Sequence, residues 1–126
     1  MPSHNRATYL ALAAGTIAIG LAVHFRGDIL SPSLRDIIGD ALWAAMVVWL
    51  TAAAVPALSL PFRAFTALVI SYAAEFSQLY HSPAVDALRG TTVGHLALGN
   101  GFDPRDLVAY AVGVLAAVLL ERAAVR

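Results

Sequence analysis

Four long apolar segments, separated by short polar stretches, make up most of this 126-residue sequence. They cover about residues 7–25, 34–55, 62–80 and 105–121. Each approaches the roughly 20 residues that a helix needs to cross the hydrocarbon core of a bilayer. The chain is 13% charged, whereas soluble domains carry roughly 25% charged residues. These features predict an all-α integral membrane protein whose single domain is a four-helix transmembrane bundle.

The first apolar segment has a competing interpretation, because a basic tail ending in Arg6 precedes it, as in a signal peptide. The segment is longer than an ordinary signal-peptide core, and it ends in His24-Phe25-Arg26 instead of a small-residue cleavage motif. We therefore predict a retained first span. Four spans place both termini on the same side, and the net positive charge of that side favours the cytoplasmic face of a bacterial inner membrane.

Polar side chains of the predicted spans gather on one side of the membrane, where spans 2 and 4 begin and span 3 ends. Glu75 and Gln78 lie about one helical turn apart near the end of span 3, after a long apolar run. Ionisable groups at such depth usually face a bundle interior or a watery cavity, so they indicate a functional site. The candidate ligand-binding residues are the polar groups collected on this side: Arg35, Asp36, Asp40, Glu75, Gln78, His81, Arg89, Asp103, Asp106 and Tyr110.

Helical spacing aligns some of these residues on common faces. Asp36 and Asp40 are four residues apart in span 2, although Asp36 would equally well complement the positive start of its helix. Asp106 and Tyr110 lie on one face of span 4. Asp103 has the simpler interpretation of a helix N-cap, because a proline follows it at the first helical position.

The connection between spans 3 and 4, residues 82–103, is long but not uniformly hydrophilic. Ser82-Pro83 predicts the start of a short helix that runs through Arg89 and stops at Gly90. A second short helix is predicted over residues 91–99. Both are too short to span a bilayer, so we expect re-entrant or interfacial helices that line a cavity.

Three kinds of function remain open for the polar residues. In the first, Arg35 and Arg89 hold the anionic part of a small polar ligand or lipid headgroup, while Glu75 and its neighbours orient it. In the second, Glu75 or Asp106 is the base of a membrane-embedded hydrolase or transferase. In the third, the charges form a buried structural network or serve partner binding. We also predict Arg35 or Arg89 within hydrogen-bonding reach of Glu75, because an unpaired buried carboxylate would otherwise be protonated.

Several classes of chemistry are not indicated by the sequence. The absence of cysteine excludes disulfides and thiolate chemistry, and a net charge of zero gives no reason to expect a nucleic-acid partner. No nucleophile elbow, zinc-protease motif or phosphate-binding loop occurs. Glu75 and His81 are six residues apart, on different faces of a continuous helix, so we predict neither a metal nor a cofactor. The expected partners are membrane lipids.

The order and spacing of these polar segments resemble the small bacterial membrane proteins classed as domain of unknown function 2809. The segments that carry the resemblance are 35–43, 75–81, 89, 98–99, 102–103 and 106–113. That family is similar in turn to VanZ-like proteins, which are linked with teicoplanin resistance and the cell envelope. The residues that match the VanZ-like pattern are Glu75, Gln78, Arg89, Asp106 and Gly113. Tyr110 stands where that pattern has asparagine. The resemblance implies a multi-pass helical protein of the bacterial cell envelope.

Overall fold

A computed structural model describes residues 6–26, 28–94 and 103–125 of the chain, and this part is helical apart from its turns, with no strand. The helices are α1 (Arg6–Arg26), α2 (Pro32–Ala54), α3 (Leu60–Ser77), α4 (Pro83–Arg89) and α5 (Pro104–Val125). The all-α class is therefore confirmed. The four long helices begin and end within four residues of the predicted apolar segments.

Helix α2 is the centre of the bundle, since it packs against α1, α3 and α5. Helix α3 also packs against α5. The buried face of α2 includes Ala44, Val48 and Ala52, which recur every fourth residue and are all fully buried. Small side chains on this face let the neighbouring helices approach closely. Gly113 of α5 lies so near to α2 that a Cβ atom there would collide with the Ala41 carbonyl.

Local capping signals set the helix boundaries. The Ser31 hydroxyl accepts the backbone N–H of Leu34 at 3.2 Å, and a proline follows Ser31 at the start of α2. Ser82 accepts the N–H of Val85 at 3.2 Å in the same way, which confirms the short helix predicted before Gly90. The second short helix, predicted over residues 91–99, lies mostly outside the described residues.

The bundle places polar groups inside and large apolar groups outside. On α3 the buried residues are Arg63, Ala67, Ser71 and Glu75, which follow one another at intervals of four. The opposite faces of α3 and α5 expose large apolar side chains: Phe62, Phe65, Val69, Ile70, Val108, Val112, Leu115 and Leu119. Soluble monomers rarely expose so much contiguous apolar surface.

Two of the described helices, α1 and α2, are long and apolar enough to cross a membrane. Helix α3 carries both Arg63 and Glu75 within its length. Both of these charged side chains are buried between helices, so they do not interrupt the apolar outer surface.

Candidate functional site

Glu75 is fully buried, and its carboxylate receives three hydrogen bonds from different parts of the chain. The Tyr110 hydroxyl on α5 donates to Oε1 at 2.8 Å, and the Gln78 amide donates to the same oxygen at 3.2 Å. The backbone N–H of Asp103 donates to Oε2 at 2.7 Å. Hydrogen bonds of this kind compensate for part of the hydration that a buried carboxyl group loses. Glu75 thus joins the end of α3 to the start of α5.

Two further carboxyl groups lie beside Glu75. Asp106, at the start of α5, is close enough to interact with the side chains of both Asp40 and Glu75. Asp40 and Asp106 are half-buried, and the Asp106 side chain is within hydrogen-bonding reach of the carboxyl groups of both Asp40 and Glu75. The carboxyl site, defined as Asp40, Glu75, Asp106 and Tyr110, therefore receives side chains from three packed helices.

Asp103 has two roles at the edge of the carboxyl site. Its backbone N–H binds Glu75, while its own carboxylate accepts the backbone N–H of Arg105 at 3.0 Å, which confirms the predicted N-cap. The Arg105 guanidinium also donates to the Asp103 carboxylate, at 2.8 Å for the shorter contact. These hydrogen bonds hold the pKa of Asp103 below its ordinary value. The charges of the exposed Arg105 and the half-buried Asp103 therefore compensate each other.

The predicted arginine partner of Glu75 is not found among the described residues. Arg89 is buried, but its guanidinium donates to the backbone carbonyls of Tyr80 at 2.8 Å and Ser77 at 3.1 Å. The physical reason is that α3 ends at Ser77, so the carbonyls of its last turn lack helical partners and attract a cation. Arg35 is half-buried, and its Nε–H has no acceptor in the part of the chain that the structure describes.

Two predicted site residues lie outside the carboxyl site. His81 is exposed, and its Nδ1 is 3.1 Å from the Asp86 carboxylate on α4. Helix α3 ends at Ser77, so His81 lies beyond the helix that carries Glu75. Asp36 is exposed, and its charge acts on both Asp40 and Arg105. The predicted residues that the structure does bring together are Asp40, Glu75, Gln78, Asp103, Asp106 and Tyr110.

The arrangement favours binding of hydrogen-bond donors. Among the described residues, no group of three His, Asp or Glu side chains is placed to hold a metal ion. Glu75 is occupied by its three donors, which makes it a poor general base. Asp40 and Asp106 keep acceptor capacity, and two neighbouring carboxylates favour a proton or a cation between them.

Two features of the interior were not among the predicted site residues, although helical spacing places Ser71 on the same face as Glu75. Ser71 is fully buried one helical turn before Glu75, and its hydroxyl has no hydrogen-bond partner among the described residues. At the opposite end of the bundle, Arg63 and Glu121 form a buried ion pair at 2.7 Å. The spacing of four residues from Arg63 through Ala67 to Ser71 and Glu75 is the sequence signal that could have identified one inward face of α3.

These observations define an all-helical protein with apolar outer surfaces and polar groups enclosed between its helices. The family model described as "Protein of unknown function (DUF2809)" matches residues 29–114, so the chain belongs to this family. The match includes all of α2, α3 and α4 and the first half of α5, and therefore the entire carboxyl site. No solved structure matches the chain. The further likeness to VanZ-like proteins stays a prediction.

Proposed function

We propose that this protein is a multi-pass membrane protein of the bacterial cell envelope, with α1, α2, α3 and α5 as its four spans. The support is the distribution of side chains: charged groups within the bundle are buried, while the outer faces of α3 and α5 carry large apolar residues. In lipid this arrangement places the charged groups away from hydrocarbon and the apolar groups in it. The VanZ-like resemblance implies the inner membrane as the location.

Within that membrane protein, the proposed role of the carboxyl site is to bind a small polar ligand or a lipid headgroup. The observation that carries this proposal is that three helices bring three carboxyl groups together: Glu75 is fully buried and held by donors, while Asp40 and Asp106 beside it are only half-buried and keep acceptor capacity. A catalytic base needs a free lone pair, whereas both carboxylate oxygens of Glu75 already accept hydrogen bonds.

The first test of this proposal concerns topology. Reporter fusions at the two ends of the chain are expected to report the same compartment, because four spans return the chain to its starting side. We expect that compartment to be the cytoplasm, because this side has the net positive charge. A reporter inserted at Asp28, between α1 and α2, is the matched control and should report the opposite compartment. Opposite compartments for the two ends would contradict the four-span arrangement. Cleavage near residue 25 would instead identify the first segment as a signal peptide.

The second test removes the charge of Glu75 while keeping its shape. Glu75→Gln is expected to reduce the amount of co-purified polar ligand by about tenfold, because the neutral amide weakens the hydrogen bonds from Tyr110 and Asp103 that position Glu75 beside Asp40 and Asp106. Native mass spectrometry of the purified protein measures the retained ligand, and size-exclusion chromatography verifies the fold. Asp86→Asn is the control, because it removes an exposed acid on the same side. Unchanged ligand retention together with lower thermal stability would assign Glu75 a structural role only.

A further inference from the structure

Tyr72 lies on α3, three residues before Glu75, and connects this helix to α5. It is half-buried, and its hydroxyl donates to the backbone carbonyl of Leu107 at 3.1 Å. A tyrosine of the membrane-interface belt would direct its hydroxyl to lipid headgroups. The Tyr72 hydroxyl binds the backbone of a neighbouring helix, so its role lies within the bundle.

The Leu107 carbonyl does not need this hydrogen bond for its own satisfaction. Leu107 lies within α5, where a carbonyl accepts the N–H four residues further along the helix. Tyr72 uses the second lone pair of that oxygen. Arg89 is different, because it binds carbonyls near the end of α3, where helical partners are lacking. The hydrogen bond from Tyr72 therefore acts on the position of α5 as a whole.

Three contacts reach one face of α5 from a single turn of α3. The Asp103 N–H and the Tyr110 hydroxyl donate to Glu75, at 2.7 and 2.8 Å. The Tyr72 contact lies between them, at Leu107. Positions 103, 107 and 110 follow the i, i+4, i+7 spacing of one helix face. A glutamate side chain has many rotamers and can follow small movements of α5, whereas an aromatic ring has few. Tyr72 thus limits how far α5 can turn or slide.

The Tyr72 ring also lies beside the ring of Tyr110. Their centroids are 6.5 Å apart and their planes are inclined by 45°, within the range of favourable aromatic pairs. A turn of α5 by one residue position, about 100°, would carry the Tyr110 hydroxyl away from Glu75. It would also displace Asp106, which directly precedes the residue that Tyr72 binds. The geometry of the carboxyl site therefore depends on the orientation of α5.

We propose that Tyr72 is a positioning residue of the carboxyl site, because it holds α5 in the register in which Tyr110 donates to Glu75 and Asp106 lies beside it. This inference deepens the proposed function and rests on it, since the acceptors offered to a ligand depend on that register. The Tyr72 hydroxyl donates to a backbone carbonyl and not to a carboxyl group, so it acts on the site through α5.

The experiment follows the Glu75 carboxyl group directly. Glutamate occurs only at positions 75 and 121 of the sequence, so NMR of glutamate isotopically labelled at its side-chain carboxyl carbon gives two signals. The full-length protein is made by cell-free synthesis and reconstituted in nanodiscs, and Glu75→Gln assigns the signals. The Glu75 signal responds to the hydrogen bonds of its carboxyl group. Glu121, at the opposite end of the bundle, is the internal reference.

Tyr110→Phe removes one donor to Glu75 and so defines the displacement of the signal when this bond is lost. We expect Tyr72→Phe to displace the Glu75 signal in the same direction and to leave the Glu121 signal in place. Tyr80→Phe is the matched control, because it removes the hydroxyl of an exposed tyrosine shortly after the end of α3, and it should leave both signals unchanged.

Thermal unfolding of the same samples measures stability separately from the geometry of the site. If Tyr72→Phe does not fold by itself, the substitution is made together with Gly15→Ala. Gly15 lies on α1 with open space around its Cβ position, and alanine there favours the helix. Gly15→Ala alone is then the reference for both glutamate signals.

The outcomes separate this inference from the proposed function. A Glu75 signal that stays in place in Tyr72→Phe, while thermal stability falls, would assign Tyr72 a structural role and overturn the proposal. Displacement of both glutamate signals would also overturn it, because it would indicate a general loosening of the bundle. The NMR signals require no bound ligand. Failure of the native protein to retain a polar ligand would therefore refute the proposed function without changing the measured effect of Tyr72 on Glu75.

Discussion

Replacing Arg63 with methionine is expected to destabilise the folded protein by about 3–5 kcal/mol, because it leaves Glu121 buried without its counter-ion. The two side chains are 8% and 9% exposed, and their charged atoms are 2.7 Å apart. The Tyr9 hydroxyl donates to the second oxygen of Glu121 at 3.4 Å, and the Arg63 guanidinium lies 5.2 Å from the centre of the Tyr9 ring. The ion pair therefore connects α1, α3 and α5 at the end of the bundle opposite the carboxyl site.

The effect of Arg63 extends to the turn before α3. Its Nε–H donates to the Leu58 carbonyl at 3.0 Å, so the same side chain fixes the connection between α2 and α3. Methionine has a similar length and can fill the space, but it supplies neither the charge nor these donors. The decrease in the free energy of unfolding of Arg63→Met should thus come from lost electrostatic interactions and hydrogen bonds more than from lost packing.

The free energy of unfolding is measured by titrating the protein with SDS in mixed micelles, with circular dichroism as the readout of helix content. Arg122→Met is the matched control, because Arg122 is an exposed neighbour of Glu121 and its removal should change the free energy of unfolding little. The double variant Arg63→Met, Glu121→Leu should be more stable than Arg63→Met alone, since it removes the isolated buried charge. Equal stability of Arg63→Met and Arg122→Met would show that the ion pair does not stabilise the fold.

The helices of this protein could be predicted from the sequence because each has a local signal. Apolar length indicates α1 and α2, and Ser31-Pro32, Ser82-Pro83 and Asp103-Pro104 indicate where helices begin. The common face of Asp106 and Tyr110 also follows from helical spacing, and both residues lie at the carboxyl site. The end of α3 was less well indicated, because the apolar pattern continues to Tyr80 although the helix stops at Ser77.

The partners of buried charges could not be predicted, because they depend on which donors reach them in three dimensions. An arginine was expected at Glu75, but a tyrosine hydroxyl, an amide and a backbone N–H satisfy it instead. Arg89 instead donates to the carbonyls of Tyr80 and Ser77 near the end of α3. An argument from charge pairing alone does not include such backbone acceptors. Arg63 and Glu121 are 58 residues apart, and nothing local in the sequence connects them.

Replacing Gly113 with leucine is expected to destabilise the protein by about 3 kcal/mol or more, because α5 would have to move away from α2. A Cβ atom at this position collides with the backbone carbonyl of Ala41, which cannot rotate aside as a side chain would. Gly113 follows Tyr110 by three residues, so displacement of this part of α5 would also shift the Tyr110 hydroxyl from Glu75. We therefore expect Gly113→Leu to lose both stability and ligand retention.

Gly39→Ala is the matched control for Gly113→Leu, since Gly39 is a helical glycine on α2 close to Ala41, with open space around its Cβ position. Alanine there should be neutral or stabilising by up to about 1 kcal/mol, because it reduces the flexibility of the unfolded chain. The same SDS titration and native mass spectrometry compare the two variants. Normal ligand retention by a destabilised Gly113→Leu protein would show that the carboxyl site keeps its geometry when the α2–α5 contact is loosened. Native stability of that variant would contradict the close approach of the two helices, because a leucine side chain cannot be accommodated against the Ala41 carbonyl.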